Sequence, residues 1–214
     1  AAGNFTHTDG VINGTWEVQG NLTIAGTADG GNSGGNDDVG LGTGTITFTG
    51  TANQTYAYAS GGRTSHLRVN KSTGTVTPAA GTTDVAMNLF TLLAGSFTAP
   101  SGTMTVGPRQ ALTQTIFTIS GGTFTHNSGT VTFAASDVAN SGSPTFTVDV
   151  PTTLTLNHVT VNLTDTSWQT PAALTTAAGD TVIAAGTFTH TDGKIKGTWE
   201  VQGNLTIAGT ADGG

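Results

Sequence analysis

Three aspartates in one glycine- and asparagine-rich stretch, Asp29, Asp37 and Asp38, are the best candidates in this sequence for binding a metal ion. Carboxylates on a flexible backbone supply the hard oxygen ligands that calcium prefers. Residues 30–37 match the G-G-x-G-x-D pattern of calcium-binding nonapeptide repeats in part, but no nine-residue recurrence is present. Two interpretations stay open, a calcium site and a solvated acidic turn, and no other cofactor is expected.

Four aromatic side chains are candidates for contact with carbohydrate, because aromatic faces stack on sugar rings. The polar loop at residues 27–41 would share this role, since the loops of stacked-repeat proteins often form the binding face. A surface polysaccharide is therefore a candidate partner. The four residues are Trp16, Tyr56, Tyr58 and Trp168.

Two sets of side chains recur at fixed places in a short motif and would form rows if the motifs stacked. Stacked T-x-T pairs are the pattern of insect-type ice-binding proteins, but rows of β-branched residues are also expected on a solvated sheet without any ligand. His7, His126 and His190 share another slot, where a surface row is expected rather than a metal site. The threonine pairs are Thr45/Thr47, Thr75/Thr77, Thr103/Thr105 and Thr130/Thr132.

Catalytic groups are scarce. There are six Lys and Arg residues and no cysteine, and both glutamates, Glu17 and Glu200, are copies of one repeated position. An enzyme acting on an acidic polysaccharide needs clustered carboxylates and a basic residue, and no nucleophile, base and orienting group can be named from the spacing. The sequence therefore predicts a protein that is not an enzyme.

Composition narrows the class of protein further. The 214 residues carry a net charge of −7, only 9% are charged, 32 are glycine and 46 are threonine. Helical bundles are rich in Ala, Glu, Lys and Leu, so this composition excludes them. Nucleic-acid binding is not expected without a basic patch, nor is membrane insertion without a long apolar stretch. The composition is typical of an extracellular or cell-surface protein.

A long internal repeat organises the chain. Residues 1–31 and 184–214 are identical except at Asn4/Thr187, Val11/Lys194 and Asn13/Lys196. The chain thus divides into one complete unit, residues 1–183, and the start of the next, residues 184–214. We expect a longer tandem array, in which copies of this chain segment are one another's partners.

A shorter, degenerate motif lies inside the long one: a large apolar residue, four spacers, usually glycine, and then alternating apolar residues. Its glycine position recurs at 10, 44, 74, 102, 129, 159 and 193, which makes six units in each long repeat. Helix signals are nearly absent, and only residues 84–94 could form a turn or two. Such units bury an apolar face only by stacking, which predicts an all-β, right-handed parallel β-helix (β-solenoid) of about six rungs, about 29 Å long per repeat. The structural anchors are Phe5, Gly10, Ile12, Val39, Gly44, Ile46, Val69, Gly74, Val76, Phe97, Gly102, Met104, Phe124, Gly129, Val131, Leu154, Val161, Phe188, Gly193 and Ile195.

The phrases GTFTHNSGTVTF (residues 122–133) and GSFTAPSGTMTV (residues 95–106) resemble the strand repeats of very large bacterial surface proteins. That group includes Thr/Gly/Asn-rich adhesins, autotransporter-type passengers and giant envelope proteins. The resemblance implies an extracellular rod and carries over no active-site residue.

Two functions are therefore expected, in the following order of preference. The first is a structural repeat of an extracellular bacterial filament, sheath or stalk, lengthened by tandem stacking. The alternative is an adhesin module that binds polysaccharide or another surface through loops on the solenoid, with avidity from the array. An ice-binding face and a polysaccharide-degrading enzyme rank below both.

Overall fold

The computed structural model describes residues 2–10, 12–26, 28, 44–108, 113–135, 144–164 and 171–208. These residues form β-strands joined by turns, and none of them lies in a helix of the length and apolar character that a membrane span requires. The strands are β1 (Phe5–His7), β2 (Thr15–Val18), β3 (Leu22–Ile24), β4 (Thr45–Phe48), β5 (Gln54–Tyr58), β6 (Thr64–Pro78), β7 (Val85–Thr98), β8 (Thr103–Val106), β9 (Gln114–Ile119), β10 (Thr123–Thr125), β11 (Thr130–Ala135), β12 (Thr145–Asp149), β13 (Thr153–Leu156), β14 (His158–Leu163), β15 (Ala173–Thr176), β16 (Thr181–Ala184), β17 (Phe188–Asp192), β18 (Lys194–Lys196), β19 (Thr198–Val201) and β20 (Leu205–Ile207).

All strand pairings among the described residues are parallel. Seventeen strands form one sheet, and β13, β16 and β19 form a second. Parallel neighbours require the chain to cross over and return in the same direction after each strand. The prediction of an all-β, parallel architecture is confirmed, and the arrangement is compatible with a β-solenoid.

Three ladders of paired strands run through the large sheet, and β7 takes part in all of them. Ladder I joins β1, β3, β5, β6, residues 96–98 of β7, and β10. Ladder II joins β2, β4, β6, residues 89–92 of β7, β9, β12, β15 and β18. Ladder III joins residues 85–87 of β7, β8, β11, β14, β17 and β20.

The chain visits the ladders in a constant order from β7 onward: III, II, I, and then III again. The small sheet fits this order, because β13, β16 and β19 each come after a strand of ladder II and before a strand of ladder III, as β10 does. In the later part of the chain, these three strands therefore take the place of ladder I in the order of strands.

Alternation along the strands places the core on one face. In β11, Val131, Phe133 and Ala135 are buried while the residues between them stay partly exposed. Aromatic side chains from the same turn and from turns one or two layers apart contact one another in the interior, as stacked, tilted or edge-on pairs. The ring centroids are 5.3 Å apart for Tyr56–Phe97, 4.8 Å for Phe90–Phe97, 5.2 Å for Phe90–Phe117 and 5.8 Å for Phe117–Phe133.

The predicted register is confirmed at one step of the short motif. Phe97 pairs with Phe124, and Met104 pairs with Val131, as the spacing between these two motif copies requires. Gly102 and Gly129 lie just before these paired strands, and the backbone amide of Thr130 donates to the Gly102 carbonyl at 2.8 Å.

Other predicted registers are wrong. Ile46 pairs with Leu67 rather than Val76, and Val76 pairs with Phe97 rather than Met104. The sequence distance between paired positions is also variable, because it doubles from the pair Phe5 and Leu22 to the pair Leu22 and Tyr56. Apolar and polar residues alternate with a period of two in every ladder. The spacing of the motif therefore could not distinguish strands of one ladder from strands of another.

The later anchors show the same correction, and one anchor, Val39, lies outside the described residues. Their partners place them on different sides of the fold. Val131 pairs with Val159 rather than Val161, Phe188 also pairs with Val159, Leu154 pairs with Val182, Val161 pairs with His190, and Ile195 pairs with Leu174.

The expectation of a helical turn or two at residues 84–94 is also wrong. Val85, Met87, Phe90 and Leu92 are buried along β7, and their spacing matches two strand segments that bend between Met87 and Phe90.

Candidate functional site

A cleft of about 550 Å³ opens beside the corner that connects ladder I to ladder III. Two turns shape it, and each is closed by a backbone hydrogen bond: Gly62 N to Ala59 O at 2.9 Å and Thr82 N to Ala79 O at 3.0 Å. Gly61 and Gly81 have φ values of 86° and 85°, a conformation that favours glycine. The lining residues are Tyr58, Ala59, Ser60, Gly61, Gly62, Arg63, Gly81, Thr83, Asp84, Val85, Ala86 and Thr105.

One cation and one carboxylate line this cleft. Arg63 is 8% exposed and donates from Nε to Asn88 Oδ1 at 2.9 Å and from Nη2 to the carbonyls of Met87, at 3.1 Å, and Gly107. Asp84 is exposed, and hydrogen bonds from the Thr83 hydroxyl and the Thr103 amide hold its pKa below the usual value. The Arg63 guanidinium is held by these three bonds in the wall of the cleft, while the Asp84 carboxylate is exposed to solvent.

Tyr56 and Tyr58 do not present their rings to solvent, which corrects their assignment as carbohydrate contacts. Tyr56 is fully buried, stacks on Phe97 and donates its hydroxyl to Thr98 O at 2.7 Å. Tyr58 is also buried, with its hydroxyl 2.9 Å from Thr64 Oγ1. Burial raises the pKa of both phenols. Rings packed in the core cannot stack on a sugar.

Of the predicted aromatic contacts that lie within the described residues, Trp16 alone is at the surface. Its side chain is 48% exposed, its ring lies 5.6 Å from that of Phe5, and Nε1 donates to Asn13 O at 2.9 Å. Trp168 lies outside the described residues.

The repeat copy of Trp16 explains its exposure. Trp199 keeps the same local bond, from Nε1 to Lys196 O at 2.8 Å, but its ring packs edge-on against Phe133 and Phe188 at 5.9 and 5.7 Å. Phe133 belongs to an earlier turn of the chain. The surface that Trp16 exposes is therefore the surface that a preceding turn covers in the second copy.

The predicted calcium ligands Asp29, Asp37 and Asp38 all lie outside the described residues. Among the residues that the structure does describe, no cluster of three or more His, Cys, Asp or Glu side chains is arranged to hold a metal ion. The calcium site remains a prediction of the sequence.

The three histidines of the predicted row do not stack on one another. His7 belongs to ladder I and His190 to ladder III, while His126 comes directly after β10. In both repeat copies the ring is instead used locally, with Nε2 at 2.8 Å from Gly10 O and at 2.7 Å from Gly193 O. These bonds hold the turn after each strand.

The threonine pairs do not form one face either. Thr45/Thr47 lie on ladder II and Thr75/Thr77 on ladder I, while only Thr103/Thr105 and Thr130/Thr132 stack on each other, on ladder III. These four pairs therefore do not build the flat T-x-T surface that an ice-binding protein needs.

The repeated segment forms the two ends of the described structure, in different environments. In the first copy Leu22 and Ile24 are buried, 1% and 0% exposed, because β5 pairs with β3. Their counterparts in the second copy, Leu205 and Ile207, are 58% and 56% exposed. β20 pairs with β17, and no described strand lies on its other side. The apolar side chains and the edge of β20 are the strongest candidate binding surface among the described residues.

Sequence reasoning missed the buried polar groups that support the turns. Lys71 is 1% exposed and donates from Nζ to the carbonyls of Gly50 and Ala52 and to Gln54 Oε1. Gln54 in turn donates to the carbonyls of Val18 and Gly20. The only sequence signal was a lysine within a stretch of alternating strand residues.

No protein-family model, curated protein or solved structure matches this chain.

Proposed function

We propose that this chain is a structural repeat of an extracellular bacterial filament, sheath or stalk, and that its three ladders wind as a right-handed β-solenoid. One observation carries the proposal: the same apolar pair is buried at Leu22 and Ile24, and exposed at Leu205 and Ile207. Covering the exposed pair requires another layer of the kind that already covers the first copy. A protein built this way becomes longer with each added repeat.

Burial of apolar surface favours such stacking. Each turn buries its apolar residues against the neighbouring turns, and parallel pairing satisfies the backbone groups of both. Fully burying a leucine or isoleucine side chain is worth about 1.5–3 kcal/mol. Adding a repeat therefore stabilises the chain by covering the end of the repeat before it.

On this proposal, one repeat makes more turns than the six predicted from spacing. One turn separates each strand of ladder I, or of the small sheet that follows it, from the next. From β1 to β16 there are seven such steps, through β3, β5, β6, β7, β10, β13 and β16. β17, the equivalent of β1, lies one side further. With about 4.8 Å between neighbouring parallel strands, a repeat would extend the rod by about 35 Å.

Electron microscopy of purified chains with one, two and four repeats tests the rod. We expect unbranched rods whose length rises by about 35 Å per repeat at constant width. Compact particles, or widths that grow with repeat number, would contradict it. Immunogold labelling of intact source cells tests the location, and label found only after the cells are opened would exclude a surface filament.

The cleft beside Asp84 supports the second candidate, an adhesin that binds polysaccharide. Its polar lining suits a neutral sugar, with the Asp84 carboxylate as acceptor. In this case a glycan array would retain the 214-residue chain, and Asp84→Ala would abolish retention. Asp9→Ala, at an exposed aspartate outside the cleft, is the matched control and should be retained. Equal retention of both variants would exclude the cleft as the binding site.

A further inference from the structure

The last described strand, β20, and the residues around it carry the same contact groups that the first copy uses to hold the next layer. In the first copy, Leu22 and Ile24 pair with Tyr56 and Tyr58 of β5. The side-chain oxygen of Asn21 accepts the Thr55 amide at 2.9 Å.

Backbone carbonyls complete this contact. Gln54 Nε2 donates to Val18 O at 3.0 Å and to Gly20 O at 2.5 Å, and the Gly44 amide donates to Ile12 O at 2.8 Å. The contacts therefore come from a single short segment, residues 44–58, lying across the first copy.

None of these contact groups differs in the second copy. The three differences between the copies fall at positions 4, 11 and 13 of the repeat, and the residues above lie elsewhere. The second copy thus has the same set of groups as the surface that residues 44–58 cover in the first. Its counterparts are Ile195, Val201, Gly203, Asn204, Leu205 and Ile207.

The second copy also supplies the other half of the contact. Its β17, β18 and β19 pair with β14, β15 and β16 of the preceding turn. The first copy shows the layer after the repeated segment, and the second copy shows the layer before it. Together they show both layers that contact the repeated segment, and we call this contact between successive repeats the joint.

The two copies lie on different sides of the fold. β1 belongs to ladder I, which passes through Phe97 of β7, whereas the equivalent β17 belongs to ladder III, which passes through Val85 of β7. β3 likewise belongs to ladder I, and its equivalent β20 belongs to ladder III. One repeat therefore does not close a whole number of turns.

We infer that the end face formed by β20 binds residues 44–58 of a second copy of this repeat, and that the second copy is turned about the long axis by one of the three sides. This inference rests on the proposed stacking of repeats. Any feature at a fixed repeat position then returns to the same side after every third repeat. The Asp84 cleft, for example, would face three directions in turn along a rod.

A lengthened chain tests the joint: residues 32–214 are added once more after Gly214, so that the native second copy connects two repeats. Hydrogen exchange measured by mass spectrometry reports on the amides of β20. We expect their exchange to slow by at least about 100-fold in the lengthened chain. Equal rates in the two chains, or protection of β20 already in the 214-residue chain, would overturn the inference.

Matched substitutions separate the joint from general stability. Leu22→Lys places a charge in a covered site, and we expect it to lower Tm by at least about 6 °C in both chains. Leu205→Lys should change the Tm of the shorter chain by less than about 1 °C but should abolish β20 protection in the lengthened one. If Leu22→Lys does not fold, Leu22→Ala and Leu205→Ala give the same comparison with smaller shifts. Unchanged β20 protection in both Leu205 variants of the lengthened chain would overturn the joint.

The rotation of one repeat relative to the next is tested separately, by structure determination. In a crystal or cryo-EM structure of the lengthened chain, we expect the two repeats to superpose after a third of a turn and a translation of about 35 Å. Superposition by translation alone would overturn the rotation. Failure of this inference can be told apart from failure of the proposed function. If β20 is protected and the repeats are rotated, but the protein is found inside cells, the inference holds and the extracellular filament is excluded.

Discussion

Single residues in this fold show how a weakly charged protein treats the few polar groups that it buries. Lys71 and Gln54 satisfy carbonyl groups where the chain turns from one side to the next, and Arg63 does the same at Met87 and Gly107. A buried carbonyl without a partner costs about 1–3 kcal/mol, so these side chains stabilise the corners. His66 is a further partly buried polar side chain, and the protonation of its ring depends on pH.

Acid should destabilise the protein through His66. Its ring lies between Thr45 Oγ1 at 3.3 Å and Thr91 Oγ1 at 2.9 Å, and burial, together with the nearby Arg68 charge, lowers the pKa to about 4. In the unfolded chain the pKa is about 6.5. Between these values the unfolded state binds the proton, so the free energy of unfolding falls with falling pH, by up to about 3 kcal/mol, and levels off below pH 4.

Urea unfolding of wild type and His66→Gln from pH 7.5 to pH 4 measures this effect. The carboxylates titrate in both chains, so the difference between the two curves isolates His66. We expect the variant to lose less stability than the wild type over this range. Parallel curves would show that His66 is not held neutral in the fold.

At the scale of elements, neighbouring turns approach so closely that some positions have no room for a side chain. A Cβ at Gly129 would overlap the carbonyl oxygen of Pro100 and lie 2.8 Å from that of Gly102, both in the preceding turn. Glycine at this anchor is therefore required by the close approach of the preceding turn.

Gly129→Ala should lower the free energy of unfolding by about 2 kcal/mol, within the range for overpacked sites. Gly3→Ala is the matched control, because a Cβ there meets nothing within 4 Å and φ is not positive. We expect the control to stay within about 0.5 kcal/mol of the wild type in urea unfolding. Equal effects of the two substitutions would mean that the turn can relax around a methyl group.

At the scale of the whole molecule, stability should vary along the fold rather than be uniform. Among the described residues, each strand pairs only with strands of the neighbouring turns. β7 has partners in all three ladders, whereas β1 and β20 are the first and last described strands. Stacked-repeat proteins behave as a sum of such neighbour interactions, so opening should begin at the ends.

Native-state hydrogen exchange of the 214-residue chain tests this gradient. We expect the amides of β7 to exchange at least about 100-fold more slowly than those of β1 and β20. Exchange at one rate throughout the described strands would indicate all-or-none opening of a globular domain and would contradict a stacked structure.

Part of the fold and of the site could be predicted because it depends on local pattern. Alternation in segments such as Thr130–Phe133, glycine before them and the absence of helix signals determined the all-β architecture. Parallel stacking was predicted from a motif too short to bury its own apolar face. The register could not be predicted beyond Phe97/Phe124 and Met104/Val131, because the connection between paired strands varies twofold in length from one turn to the next.

The sequence by itself determined that residues 1–31 and 184–214 are copies of one segment, and it predicted that the chain can be extended by repetition. Only the tertiary structure decided that Tyr56 is core while Trp16 is surface, and that the two copies lie on different ladders. The physical reason is that burial depends on which turn lies next, and a side chain's neighbours in a stacked fold come from residues far along the chain. Identical segments therefore differ in exposure when only one of them is covered.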